Sequence, residues 1–397
     1  MRRVLLSVSF SSFLFFLGKA ATIRWDGGGG DGQWSTNTNW VGDIAPVVGD
    51  NVVLDNSVVT TSYTVNLPAG NVAVTVSSLT ITPATSSSIT LILPTSNTSP
   101  TAFVANGVGD AVVLNNGAVF INASTAASGT PDSVSTTNFF RINNGGRYVH
   151  RSQTGHTTNL VARLSKVAGT EKGIFEFDIP CSSTISLSGR NYGTLILSAT
   201  TYGLPLTYSG NGAMPLNVYG DLIVNPNVTF NLRFSADVII HGNYDQKPSS
   251  TFNLQNSANN NVVRLQGDVS IGGTINQSGT GLPVLEFNGS TNQNVSVTGT
   301  INNKVTVRMN NPSGITLATN VTLPYVLDLE SGNIKTSQTN ILTLVDNATL
   351  TGGSSSSFVE GPMIKIGDDN FTFPVGKGEI YAPIGFSSTG LLPTDAF

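Results

Sequence analysis

Gly220-Asp221-Leu222-Ile223-Val224 is answered by Gly242-Asn243-Tyr244, and again by Gly267-Asp268-Val269-Ser270-Ile271. The three glycines lie 22 and 25 residues apart. Each copy leads on to a similar pair: Thr229-Phe230, Thr251-Phe252 and Thr274-Ile275. Within the copies, apolar and polar residues alternate, the period-2 signal of strands. Three short strands at about 3.3 Å per residue, with their turns, use about that length of chain. The spacing therefore predicts one coil of a parallel β-helix per repeat, stacked on its neighbours to bury a shared core. Gly332-Asn333-Ile334 echoes the same start further along the chain.

Working outward, short alternating runs separated by Gly, Asn and Pro fill residues 58–353, as in Tyr63-Thr64-Val65-Asn66-Leu67 and Ser88-Ile89-Thr90-Leu91-Ile92-Leu93. A second repeat has a constant offset of 110: Phe175-Glu176-Phe177 aligns with Leu285-Glu286-Phe287, and Leu195 and Leu197 align with Val305 and Val307. This internal repeat, about 175–197 and 285–307, is expected to mark equivalent positions. Asn suits such a build because it tolerates left-handed turns and stacks in ladders between coils. A string of β-sandwiches would also give alternating strands, but the coil-length spacing of Gly-Asp and Gly-Asn favours the solenoid. The fold class is all-β.

The 397 residues include 42 Gly, and only 11% are charged, about half the usual share. Arg2 and Arg3, the apolar run from Val4 to Leu17, and Gly18-Lys19-Ala20 read as a secretory signal peptide over 1–20. Its apolar core is short for a membrane span of about 20 residues. Cleavage after Ala20 would leave 16 basic against 23 acidic residues, a net charge near −7. That argues against nucleic acid or an anionic membrane surface as partner. Nothing after the signal reads as a membrane-crossing helix. The single Cys181 has no internal partner for a disulfide and reads as a buried apolar residue.

Residues 21–57 read as an N-terminal cap. Trp25, Trp34 and Trp40 all sit there, around Gly27-Gly28-Gly29-Gly30. A solenoid needs its first open edge covered. At the other end, Ser354–Ser357 reads as a linker. Phe371-Thr372-Phe373 and Tyr381-Ala382-Pro383-Ile384-Gly385-Phe386 then read as the start of a further, incomplete β domain over 354–397.

The string Arg147-Tyr148-Val149-His150, followed by Val167-Ala168-Gly169-Thr170-Glu171-Lys172-Gly173-Ile174-Phe175-Glu176-Phe177, resembles large secreted surface proteins of Bacteroidetes-type bacteria. The Trp-Asp-Gly entry segment and residues 371–386 are similar to the same group. The resemblance implies a β-helix-like adhesin exported by the type IX route, of which this chain would be an N-terminal fragment. It implies no catalytic activity. The sorting domain which that route reads at the C-terminus has no counterpart here.

The densest chemistry runs from Arg141 to Asp178. On a strand, Glu176 and Asp178 share one face about 7 Å apart. That spacing suits the carboxylate pair of a polysaccharide-cleaving enzyme; the plainer expectation is a solvated outer face. Glu176 recurs as Glu286 whereas Asp178 becomes Asn288, which suits a structural position better than a unique site. His150 and His156 offer two metal ligands without an evident third, and read as a surface loop beside Arg151. His241 reads as a turn residue. Asp26, Asp31 and Asp50, with Asp43 and Asp55, offer oxygen ligands for calcium, against a plainer role in turns. The glycine run is no phosphate loop, since no Lys-Ser/Thr and no helix follow it.

These readings converge on a non-enzymatic, secreted or cell-surface adhesin-like scaffold. Its expected partner is a glycan or another surface protein. A β-helix polysaccharide lyase or glycoside hydrolase is the catalytic alternative, and a passive stalk for a further C-terminal domain is the third.

Overall fold

A computed structural model describes residues 21–129, 131–201, 203–387 and 390–397. The expected signal segment, 1–20, lies outside the described residues. The chain winds into a parallel β-solenoid of about 14 turns, with 45% strand and 2% helix. One long sheet carries fourteen parallel strands, from Tyr63–Asn66 to Val375–Lys377, and ends on Ile380–Tyr381, which turns back antiparallel. The alternation read from sequence sets the inside and the outside. Leu222 and Val224 point inward and are buried, while Ile223 between them is half-exposed.

The flanking sheets change part-way along. In the first part, a five-stranded sheet runs from Thr22–Arg24 to Phe139–Ile142, and a three-stranded one from Val74–Val76 to Val134–Thr136. Beyond residue 182 they are replaced by a six-stranded sheet starting at Ser183–Thr184 and an eight-stranded sheet starting at Asn191–Tyr192. A third flanking sheet, of Val321–Leu323, Leu342–Leu344 and Met363–Lys365, follows. The long sheet runs through this change without a break.

The glycine spacing has a direct cause. Gly220 N–H donates to Gly193 O (3.0 Å), Gly242 to Gly220 (3.0 Å) and Gly267 to Gly242 (3.1 Å). A Cβ on Gly242 would collide with the Gly220 carbonyl, so the coils close only over hydrogen. The next residue forms a second ladder. Asp221 Oδ1 accepts from Asn243 N (2.7 Å), Asn243 Oδ1 from Asp268 N (2.9 Å), and Asp268 Oδ1 from Asn294 N (2.8 Å). A third ladder stacks amides on the six-stranded side. Asn253, Asn276 and Asn303 each donate to the Asn of the previous coil at 2.6–2.8 Å.

The 110-residue offset does not mark equivalent positions. Ile174–Phe177 lies in the long sheet between Arg147–His150 and Thr194–Leu197. Val284–Phe287 lies in the eight-stranded sheet between Val262–Leu265 and Thr306–Asn310. Coils vary in length, so a constant offset drifts from one face to another, and alternation looks the same on every face.

Residues Gly32–Trp34 lie along the first strand of the long sheet. Gln33 pairs with Asn66, Trp34 N–H donates to Asn66 O (2.9 Å), and Asn66 N–H donates to Gly32 O (2.8 Å). Trp40 packs edge-on to Trp25 (4.9 Å) and Trp34 (4.8 Å) and donates Nε1–H to Trp34 O (2.7 Å). Thr22–Arg24 and Asn51–Asp55 are themselves the first strands of the five-stranded sheet, so the cap is continuous with the solenoid.

The expected linker and separate domain beyond residue 353 are corrected. Val359–Glu360 stacks on Ile334–Lys335, Val375–Lys377 on Val359–Glu360, and Met363–Lys365 on Leu342–Leu344. The serine run is a coil turn: Ser357 is buried and donates to Gly332 O (2.9 Å). A hairpin of Phe371–Phe373 with Ile384–Phe386 follows.

Candidate functional site

Glu176 and Asp178 lie neither on a solvated face nor in an open groove. Their side chains are 3% and 0% exposed. Glu176 accepts from Arg147 Nε (2.9 Å) and from Ser198 Oγ (2.6 Å). Asp178 accepts from Arg151 Nε (3.0 Å) and from Thr201 Oγ1. Each carboxylate thus ties its own coil to both neighbours. Glu286 does the same between Arg264 (3.0 Å) and Arg308 (3.3 Å), and Arg308 goes on to Asp328 (2.8 Å). Buried carboxylates require such partners. The recurrence of Glu176 as Glu286 is the recurrence of this role on a different face.

The surface-loop reading of the histidines is corrected as well. His150 ends the strand Arg147–His150 with its side chain inside the solenoid, fully buried. Neither of its ring nitrogens has a hydrogen-bond partner. His156 packs 4.9 Å from it, also buried, and its Nε2 accepts from Ser186 N–H (3.2 Å). Burial holds both pKa values below the ordinary range, His156 at about 4. The aromatic neighbours Tyr148 and Phe177 account for the inward turn of this segment: His150 and His156 extend an aromatic interior.

A concave feature with a mixed lining lies where the flanking sheets change. Phe139–Ile142 is continued by a single bridge from Phe140 to Leu164, and the next strand on that side, Asn191–Tyr192, pairs only forward, with Leu216–Val218. A cleft of about 220 Å³ opens between the two sheets. Phe140, Phe175 and Tyr192 form its floor, Ser165, Lys166, Thr170, Glu171 and Asn191 its polar rim, and Tyr219 one wall. Lys166 and Glu171 belong to the dense stretch that the sequence singled out. Tyr219, Tyr192 and Asn191 were missed, because a cleft made by a change of sheet leaves no local pattern. Glu171 accepts from Gly169 N–H (2.9 Å), and hydrogen bonds from the backbone hold its carboxyl below the usual range. It is the single carboxylate of the lining. The two carboxylates of ordinary glycoside hydrolysis do not meet here.

In the cap, Asp26 accepts from Gly28 N–H (3.0 Å) and Asp50 from Val47 N–H (2.9 Å). Asp31 accepts from Gln33 N–H (2.9 Å), Thr36 Oγ1 (2.6 Å) and Asn39 Nδ2 (2.6 Å), and these bonds hold its pKa down. Asp43 holds a left-handed turn, and Asp55 pairs with Arg24. Among the described residues, the carboxylates that come within 4.8 Å of one another in a group of three are Asp346, Asp368 and Asp369, at the other end of the chain. There the buried Lys365 Nζ donates to Asp369 (2.8 Å) and to the carbonyls of Val345 and Ile366. His241 follows the strand Val238–Ile240 and stacks flat on Tyr219, 4.9 Å away. Cys181 is partly buried against the core.

Set beside known protein families, curated proteins and solved structures, the chain matches none. Among the described residues no helix is long and apolar enough to cross a membrane.

Proposed function

We propose that this chain is a secreted or cell-surface adhesin-like scaffold that binds a ligand without turning it over. The observation that carries the reading is the use made of the charged residues. Glu176, Asp178 and Glu286, the carboxylates best placed for chemistry, are consumed in ion pairs between coils. A general acid or base must reach its substrate within hydrogen-bond distance, and these are covered. A stack of coils with a polar, laddered exterior serves instead to hold a surface rigidly in place. Export through a signal peptide, and kinship with the surface proteins of Bacteroidetes-type bacteria, belong to the same proposal.

The test is a glycan array probed with the chain from residue 21 onward, with turnover assayed on every hit. Binding without cleavage is the expected result. Cleavage of a bound polysaccharide would overturn the reading.

A further inference from the structure

We propose that the cleft at the change of sheets binds a neutral sugar ring, stacked on Tyr219 in the place that the shorter turn one coil earlier leaves open. The inference rests on the reading of the chain as a binding scaffold and gives that scaffold its site.

The argument begins with a column of flat side chains. Tyr219, His241, Gln266 and Asn288 each follow the last residue of a strand in the eight-stranded sheet. His241 N–H donates to Val218 O (2.8 Å), Gln266 N–H to Ile240 O (2.9 Å), and Asn288 N–H to Leu265 O (2.9 Å), which fixes them in one register. The Tyr219 and His241 rings lie 4.9 Å apart and 7° from parallel. His241 Nδ1 is 2.8 Å from Gln266 Oε1, so the ring is held at its edge as well as its face. The stack therefore repeats at the spacing of the coils.

One coil earlier this turn is one residue shorter, with only Gly193 and Thr194 between Tyr192 and Leu195 where three residues stand between Val218 and Leu222, so Gly193 takes the place of Gly220 in the glycine ladder and no residue stands at the place of Tyr219. Tyr219 N–H donates to Tyr192 O (2.9 Å), and Gly220 N–H to Gly193 O. Gly193 brings no side chain, and a Cβ there would collide with the Gly173 carbonyl. The cleft opens at this position. Tyr219 is 45% exposed, so one face of its ring lies on His241 and the other side is accessible from the cleft.

The chemistry of the opening selects the ligand. A pyranose has an apolar face of C–H groups and an edge of hydroxyls. The Tyr219 face suits the first. Asn191, Thr170 and Ser165 supply both donors and acceptors for the second. Lys166 and Glu171 place one charge of each sign on the rim, which favours a neutral sugar over a uronate. The volume is below the roughly 300–1,000 Å³ of sites for drug-sized ligands, which suits a single ring entering from a longer chain.

The experiment uses Tyr219→Trp as a reporter. The three native tryptophans are buried in the cap, so acrylamide-quenchable emission comes from the new indole. Neutral methyl glycosides, methyl glucuronide and phenol are titrated separately, and the wild-type chain is put on the glycan array beside Tyr219→Ala and Tyr219→Phe. Melting curves establish that the variants fold. The expected result is protection of the indole by a neutral glycoside, with array hits weakened at least tenfold in Tyr219→Ala and kept in Tyr219→Phe. Array hits unchanged in Tyr219→Ala would overturn the cleft and leave the scaffold reading standing. Response only to phenol or to the glucuronide would overturn the neutral sugar. No response to any sugar would overturn the site, whereas cleavage of a hit would overturn the scaffold reading itself.

Discussion

His150 and His156 are buried side by side with three of their four ring nitrogens unbonded. Both are therefore neutral in the folded chain, and this makes stability depend on pH in a defined direction. The unfolded chain takes up protons on these rings below about 6.5, and the folded chain does so only below about 4 at His156. The stability they permit is complete above 6.5 and is lost as pH falls from there to about 4. His156 alone accounts for about 3 kcal/mol over that window. Melting temperature followed across it should fall steeply in the wild type. The double variant His150→Leu, His156→Leu should show a shallower fall, and equal slopes would show that the rings are not protected from protonation. Nothing local in the sequence signalled this burial. The residues from Arg151 to His156 read as loop composition, and only the interior position of Tyr148, two residues earlier on the same strand, carried the signal. For Glu176 the sequence was more informative: its return as Glu286 pointed to structure, although the ion pairs themselves depend on Arg147 and Arg264 in neighbouring coils.

Among the elements, the glycine ladder is the feature that sequence alone resolved. The 22- and 25-residue spacing of Gly220, Gly242 and Gly267 is the spacing of stacked N–H to carbonyl bonds. Gly242→Ala should cost about 1–3 kcal/mol or more, because the methyl meets backbone rather than a side chain that can rotate away. Gly385→Ala is the control, since a Cβ there meets only Thr372 Oγ1 at 4.0 Å. Comparable melting of both variants would show that close approach is not what the ladder requires. The 110-residue offset was a poorer guide, because strand alternation does not say which face a strand occupies. The serine run at 354–357 misled for a similar reason: turn residues and linker residues have the same composition. The cleft lay beyond reach altogether, since it comes from the absence of pairing between Phe139–Ile142 and Asn191–Tyr192, elements some fifty residues apart.

At the scale of the molecule, fourteen parallel strands at about 4.8 Å make a rod roughly 60–65 Å long. Each coil touches only the one before and the one after, so stability is close to a sum of neighbour terms. Among the described residues, the long sheet is the one sheet that runs from the part before the change of flanking sheets into the part after it. That continuity gives the rod a mechanical character. A pull along the axis at the two ends loads one coil at a time, as a zipper is opened, and does not shear all the ladders together. A coil that peels away releases about 3.5 Å of chain per residue. Stretching a single molecule in an optical trap should give a staircase of steps of several nanometres, unequal because the coils are unequal. One abrupt rip would mean that the coils yield together. Between coils that give way in turn, a tethered surface would meet a shock absorber rather than a brittle post.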